Sequence, residues 1–348
     1  MQKVRKRIIK ITNWEYWPFD VVYLPVYFYW AWLAIKARSF FFFNTANPTI
    51  ENGGFLMESK KKIYDQLEEG SYPKTMLIND LSSFNHCIQK NQSNEITFPI
   101  IAKPDIGLRG LQVKKLNNID DLLEYHTRSK VPYLLQEYIN YPNEVGIFFY
   151  KMPGDLQGTI SGIVGKEFLT VIGDGQLTIE ELIIQNDRYF LQLDQLRNNY
   201  GTTLKNVLLK NDLLTLVPYG NHARGAKFID LTHMADAQLI NTINKICSKI
   251  PQFYFGRMDI KYNDWNELKE GKHFSIIELN GAGSDPTHIY DPKHSIFFAW
   301  KEIFKHLNIL FKISRINKER MQLNYMSTKE GLEMLKANKA HVKLISPN

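Results

Sequence analysis

Apolar positions along this chain change period several times, and each change marks an element. Phe98-Pro99-Ile100-Ile101-Ala102 is a compact apolar run that stops at Lys103-Pro104, as a strand does. Residues 118–128 set Ile119, Leu122, Leu123 and His126 at helical spacing. Strands are predicted at 133–139 and 145–150, and 158–168 with 169–172 reads as hairpin material. Helices follow Thr178 and lie between Ala235 and Ile250, and two alternating runs near 256–262 and 273–280 are predicted as strands. Ser59 suits the N-cap of a short helix through Leu67. Asn47-Pro48 and Asn52-Gly53-Gly54 read as loop, and 79–95 as a polar stretch. Interleaved strands and helices make the class mixed α and β.

The amino terminus breaks this pattern. Lys3, Arg5, Lys6, Arg7 and Lys10 come first, with no acid among them. Trp14, Tyr16, Trp17, Tyr23, Tyr27, Phe28, Tyr29, Trp30 and Trp32 follow, then Phe40 to Phe43. Residues 21–35 carry no charge, but that run is shorter than the roughly 20 residues a spanning helix needs, and Pro25 lies inside it. Tyr and Trp favour the headgroup level and flanking cations favour anionic lipid. Residues 1–43 therefore read as a segment lying in a membrane interface, the alternative being an aromatic helix packed on the protein's own core.

Composition narrows the class. The 348 residues are 44% hydrophobic, enough for a core. The formal charge of +7 points to an anionic partner: nucleotide, phosphorylated substrate, acidic membrane or nucleic acid. No interleaved basic and aromatic platform lies beyond the amino terminus, so nucleic acid is not expected. Cys87 and Cys247 are too few for a disulfide scaffold or a zinc site, and a cytoplasmic setting is expected, on the inner face of the membrane.

Three features carry chemistry. In Phe255-Gly256-Arg257-Met258-Asp259-Ile260-Lys261, alternation puts Arg257, Asp259 and Lys261 on one face, and in Phe274 to Asn280 it does the same for Glu278 and Asn280. Paired as a hairpin, these strands would gather Asp259, Glu278 and Asn280 into an oxygen-only set that suits magnesium, while Arg257 steadies developing charge. Lys261 is expected in solvent. Second, Lys103 ends a strand before Gly107-Leu108-Arg109-Gly110, where glycines let backbone N–H groups approach phosphate. This is neither the common phosphate loop nor the dinucleotide fingerprint. Third, Glu137 interrupts an apolar strand and Glu144 follows seven residues later. A buried acid needs a partner, and a nucleotide's amino and ribose hydroxyl groups would serve; the alternative is a partly exposed edge position beside a lysine.

In this order the pieces resemble the ATP-grasp superfamily over about residues 98–286. Arg257-x-Asp259 and Glu278-x-Asn280, with the seven-residue spacing of Glu137 and Glu144, look like D-alanine–D-alanine ligases. Val171 to Gly175 with Thr178 to Ile183, and His222-Ala223-Arg224-Gly225-Ala226 with Asp230-Leu231-Thr232, look like cyanophycin synthetases and related glutamate–cysteine ligases. The resemblance implies two α+β lobes with ATP between them, preceded by the aromatic, basic segment. Implied boundaries are 1–43 for that segment, 44–95 for a linking region, 96–165 for a small lobe, 166–310 for a catalytic lobe and 311–348 for a tail. It implies that Lys103 and one of Lys60, Lys61 or Lys62, with Gly107, Arg109 and Gly110, contact ATP phosphates. Glu137, Tyr138 and Ile139 would frame adenine and Glu144 the ribose. Asp259, Glu278 and Asn280 would carry Mg2+, and Arg257 and Arg224 would steady an acyl phosphate, with His222 and Ser284 as substrate contacts. The implied activity is an ADP-forming carboxylate–amine ligase (thiol or hydroxyl as other nucleophiles), acting on a small-molecule or lipid-linked substrate. A kinase of the same fold and a non-catalytic nucleotide- or lipid-binding module are the alternatives. The chain departs from such ligases where their leading substrate-binding domain would stand, so their acceptor pocket is not carried over.

Overall fold

The computed structural model describes residues 2–346 except 94, 109 and 219, with backbone alone at 90 and 92. Two antiparallel sheets divide the chain's middle. Strands β1 (Thr75–Ile78), β2 (Ile100–Pro104), β3 (Lys114–Leu116) and β4 (Tyr133–Glu137) form one, in the order β1-β4-β2-β3. The other comprises β5 (Asn143–Tyr150), β6 (Thr159–Glu167), β9 (Lys227–Asp230), β10 (Phe255–Tyr262) and β11 (Phe274–Asn280), in the order β11-β10-β5-β6-β9. A separate ribbon pairs β7 (Leu169–Ile172) with β8 (Leu213–Val217).

Helices begin where local caps allow. Helix α1 spans Gln2–Thr12 and α2 Phe19–Ala37. Ser59 accepts from the Lys62 amide at 3.2 Å to start α3 (Lys60–Tyr64). The polar stretch contains α4 (Phe84–Ser93), and Asn118 caps α5 (Ile119–Arg128), whose first turn holds Asp120 and Asp121 against the positive end of the helix dipole. Thr178 and Glu181 form a capping box at α6 (Ile179–Gln185), followed by α7 (Asp187–Phe190) and α8 (Leu193–Tyr200). Then come α9 (Ala237–Ser248), α10 (Trp265–Lys269), α11 (Ile296–Arg320) and α12 (Thr328–Ile345).

The small sheet buries Met76, Ile100, Ala102 and Leu135 against Cys87 of α4 and Leu122 and Tyr125 of α5. On the large sheet, Ile147, Met258 and Ile260 pack under Leu239, Ile243 and Cys247 of α9. Its opposite face is divided. Phe148 and Phe255 join Leu33, Phe42, Phe43, Leu310 and Phe311 in a second core, whereas the neighbouring positions along the same strands are polar.

Several expectations are corrected here. Residues 158–168 and 169–172 do not pair as a hairpin: β6 lies between β5 and β9, and β7 pairs with β8 in another sheet. Strands β5 and β6 belong to the large sheet with β9, β10 and β11, while the small sheet starts at Thr75. The expected tail at 311–348 continues α11, burying Phe311, Ile313, Ser314 and Asn317, and adds α12. The aromatic segment is not a separate appendage: Leu33 and Phe42 are fully enclosed, and Phe41 and Phe43 nearly so. Pro25 does not interrupt α2. The outer side of the segment still exposes Val4, Ile8 and Ile11 of α1 and Val21, Leu24, Phe28 and Ile35 of α2. Among the described residues, no helix is long and apolar enough to cross a membrane.

Candidate active site

Strands β10 and β11 pair antiparallel with Arg257 opposite Asn280 and Asp259 opposite Glu278, a bulge following at Asp259/Ile260. The alternation expected from sequence is therefore realised. On the other side of β10, Asp259 faces Gly146, and a Cβ there would lie 2.9 Å from Asp259 Oδ1 and 2.8 Å from Val164 Cγ1. Gly146 is the space into which that carboxylate fits.

Asp259 is buried and held by two cations. Arg257 donates to it from Nε at 2.9 Å and Nη2 at 3.3 Å, and Lys166 Nζ lies 3.2 Å from Oδ2. Lys166 also reaches Glu144 Oε1 at 2.7 Å. Burial alone would raise the Asp259 pKa, but Arg257 and Lys166 outweigh it and hold the carboxyl below its ordinary value. Burial likewise disfavours charge on Lys166, yet Asp259 and Glu144 raise its pKa above the usual lysine value. Glu278 keeps a third of its side chain exposed, with Lys60 Nζ 3.8 Å away.

Lys103 is more deeply committed than a phosphate-seeking lysine would suggest. It is buried and donates to Tyr64 Oη at 2.9 Å, Gln136 Oε1 at 2.9 Å and the Ile277 carbonyl at 3.0 Å. Burial pulls its pKa down to about 8 against the opposing charges of Glu278 and Asp259. Of the three consecutive lysines, Lys60 is the one that faces this region, donating to the Gly107 carbonyl at 3.4 Å. Lys61 pairs with Asp65 and Lys62 with Glu51.

The loops around the site touch one another. Gly110 has φ +73°, and a Cβ there would meet Asn221 Nδ2 at 2.7 Å. A Cβ on Gly220 would strike Lys166 and Glu144 at 2.3 and 2.5 Å. From the carboxyl end, α12 reaches the glycine loop through His341 Nε2, 2.7 Å from the Ile106 carbonyl. Asn52-Gly53-Gly54 packs backbone to backbone beyond β11, with the Ala282 and Gly283 amides donating to Gly53 and Gly54 carbonyls at 3.0 and 2.8 Å.

All of this encloses one cavity of about 1200 Å³. Lys60, Lys103, Gly107, Gly110, Glu137, Tyr138, Ile139, Glu144, His222, Arg224, Arg257, Asp259, Glu278, Asn280 and Ser284 line it. Arg109 lies outside the described residues. Some residues differ from expectation. Glu137 does not interrupt a buried strand: β4 ends there, and the exposed carboxylate accepts from the Lys74 amide at 3.2 Å. Lys261 is not solvated, since it is partly buried in the cavity wall with Nζ donating to the Tyr141 carbonyl at 3.2 Å. His222 is engaged by Glu15 of the amino-terminal segment at 2.8 Å, and Arg188 holds the same carboxylate at 2.6 Å. The Ser284 hydroxyl donates to the Gly281 carbonyl at 2.6 Å, closing the turn after β11. Val171 to Gly175 does not reach the cavity: Asp174 caps the amides of Gln176 and Leu177 instead.

Sequence reasoning missed Lys166, Tyr64 and Gln136. Lys166 sits near the end of a strand, where a lysine ordinarily reads as solvated, and only the pairing of β6 with β5 brings it to Glu144. Among the described residues no group of three His, Cys, Asp or Glu is placed to hold a metal. The oxygen donors that line the cavity together are two carboxylates and one amide, and the Asn280 Nδ2 atom is buried without a partner.

No family model matches the chain, and no curated protein matches it. Solved structures do. A bifunctional glutathione synthetase from Pasteurella multocida is 15% identical over 74% of this chain, which spans 38% of that protein, with a TM-score of 0.38. The D-alanine–D-alanine ligase from Bacillus anthracis, complexed with ATP, is 16% identical over 75% of this chain and 67% of its own, with a TM-score of 0.41. An ATP-grasp ligase complexed with a minimal precursor is 12% identical over 72% of this chain and 60% of its own, with a TM-score of 0.36.

Proposed function

We propose that this protein is an ATP-dependent ligase that activates a carboxylate as an acyl phosphate and passes the acyl group to an amine. The observation that carries the reading is one cavity holding both Arg257, Asp259, Glu278 and Asn280 and the cationic, glycine-lined loop with Lys60 and Lys103. In this reading Lys60, Lys103 and the backbone of Gly107 and Gly110 bind the phosphates, with Arg109 in the same loop. Glu137, Tyr138 and Ile139 frame adenine, and Glu144 holds the ribose. Asp259, Glu278 and Asn280 fit Mg2+, an oxygen-seeking ion that usually keeps several waters and leans on substrate phosphates. Bound there, it supplies neutralisation of phosphate charge. A carboxylate oxygen attacks the γ-phosphorus and ADP leaves; the amine then attacks the acyl carbon and phosphate leaves. Arg257 and Arg224 steady the negative charge on the acyl phosphate and the tetrahedral intermediate. The protein's contribution is positioning and charge complementarity, as in other phosphoryl transfers.

The test is ADP release from purified protein given ATP, Mg2+ and pooled metabolites and lipids, with new product masses read in parallel. Glu278→Gln should abolish ADP release while leaving the fold intact, because Glu278 is partly exposed, Lys60 keeps the Gly107 carbonyl, and buried Lys103 keeps its three acceptors and the charge of Asp259. Near-normal turnover in that variant would remove the metal assignment.

We also propose that the amino terminus rests on an anionic, cytoplasmic membrane face. Support comes from the exposed apolar rows of α1 and α2 beside Lys3, Arg7, Lys10 and Lys36. Arg5 and Lys6 contribute less, since they pair with Asp187 and Asp194. Each remaining cation adds about 1 kcal/mol near anionic lipid, screened beyond a Debye length of roughly 8–10 Å. Anionic vesicles should sediment the full chain, less as salt rises, and Phe28→Glu with Ile35→Glu should release it. Equal sedimentation of the variant and the wild type would refute the contact.

A further inference from the structure

Resting on the ligase reading, we infer that Asp285 is a further catalytic residue and Tyr23 its positioning residue. The Asp285 carboxylate receives the ammonium of the incoming amine and takes a proton from its nitrogen as the new bond forms. Asp285, Tyr23 and Arg257 line the same cavity. Asp285 follows Glu278 and Asn280 of β11 through the turn 281–284. That turn is pinned on both sides. A Cβ on Gly283 would lie 2.4 Å from the Phe55 carbonyl oxygen, and the Ser284 hydroxyl also reaches the Asn280 carbonyl at 2.9 Å. Arg257 Nη1 donates to the Asp285 carbonyl at 3.3 Å, so the half-buried Asp285 side chain stands within one residue of that guanidinium. An amine attacking an acyl carbon beside Arg257 brings its protons within reach of this carboxylate.

Tyr23 of α2 fixes the orientation. Its hydroxyl donates to Asp285 Oδ1 at 2.5 Å. Burial, with Asp285 and Tyr290 beside it, raises the Tyr23 pKa well above its ordinary value, so the phenol keeps its proton and remains a donor. A neutral hydroxyl on Oδ1 holds the carboxylate in one orientation without cancelling its charge, as a lysine or arginine there would. The aromatic segment, buried for its own packing, thereby supplies a side chain to the acyl-transfer end of the site.

The reaction needs an acid at this point. At neutral pH an aliphatic amine is an ammonium, which has no lone pair to attack with. Arg257 and Arg224, which line the cavity, also repel it. A carboxylate beside them attracts the cation and accepts a proton. One ammonium proton goes to water before attack. The nitrogen lone pair then bonds the acyl carbon, a second proton passes to Asp285, and the acyl–oxygen bond breaks as phosphate leaves. Asp285 gives its proton to water once the product departs.

The experiment uses the full-length protein with ATP, Mg2+, pooled metabolites and lipids as the carboxylate source, and hydroxylamine and methylamine together at neutral pH. These two nucleophiles match in size, but hydroxylamine is uncharged there and methylamine is an ammonium. Mass spectrometry reads hydroxamate and methylamide from one reaction, so their ratio is insensitive to any loss of folded enzyme. General-base catalysis contributes about 100- to 10,000-fold, so Asp285→Asn should raise the hydroxamate-to-methylamide ratio by about 100-fold or more, and Tyr23→Phe by less. Calorimetry should find nucleotide affinity unchanged in both variants. Both products falling together in Asp285→Asn, with the ratio unchanged, would overturn the role of Asp285 and leave the ligase reading standing. Hydroxamate without methylamide from the wild type would do the same. Neither product and no ADP from the wild type would overturn the ligase reading, and the role of Asp285 with it.

Discussion

Replacing Lys166 by Met should destabilise the protein more than any surface lysine change, through one traceable mechanism. Lys166 stands between Glu144 at 2.7 Å and Asp259 at 3.2 Å, and all three side chains are 5–6% exposed. Asp259 retains Arg257 in the variant, but buried Glu144 loses its hydrogen-bonded cation and keeps only the longer-range charge of Lys261 opposite it on β10. Breaking a buried pair from one side typically costs 3–5 kcal/mol, because the remaining charge loses its close partner. Unfolding entropy of roughly 2.1 cal/mol/K per residue gives about 0.7 kcal/mol/K for a chain of this length unfolding as one unit, so Tm should drop by about 4–7 °C. Adding Glu144→Gln removes the stranded charge, and the double variant should recover roughly half of the loss or more, a coupling that distant sites do not show. The pH dependence follows in sign. Because folding raises the Lys166 pKa above 10.5, its contribution is complete below that value and is lost as pH rises through the higher folded pKa. Thermal scans at pH 7.5 of the wild type, both single variants and the double variant decide the matter. A Lys166→Met shift under about 1 °C, or strictly additive losses, would refute the buried-triad argument.

Other outcomes follow from the same geometry. Nucleotide affinity should weaken as pH rises through about 8, by up to about tenfold per unit, as Lys103 loses its proton; calorimetry should find Lys103→Met flat over that range. The Lys103 contribution to stability runs the other way, rising between about 8 and 10.5, where the unfolded chain holds a proton that the folded one releases. Gly146→Ala forces the Asp259 carboxylate aside, so stability should fall by about 1–3 kcal/mol and kcat by much more than that loss explains, read from thermal scans beside ADP release. A chain beginning at Asn44 should not fold, contrary to what a detachable anchor would allow. It lacks Leu33, Phe41, Phe42 and Phe43, whose burial at about 1.5–3 kcal/mol each rivals the 5–15 kcal/mol that holds a typical protein together, and circular dichroism should show the loss.

The local parts of this protein were legible in its sequence. A cap is a bond between residues two or three apart, so Ser59 announces α3, and the caps of α5 and α6 at Asn118 and Thr178 are equally local. A strand's two-residue period is equally local, which is why Arg257, Asp259, Glu278 and Asn280 sort onto the cavity side before any pairing is known. What the period does not carry is the partner. Residues 158–167 look as ready to fold back on 169–172 as to lie between β5 and β9, and only the sheet chooses. That choice brings Lys166 to Glu144 and Asp259, and the meeting of β2, β4, α3 and β11 gives Lys103 its three acceptors. Helix α2 shows the limit most plainly. It is apolar all round, so its sequence does not say which side faces inward. Packing against α11 and the large sheet buries Val22, Val26 and Leu33 and leaves Phe28 and Ile35 outside, because a helix has two sides and the core needs one.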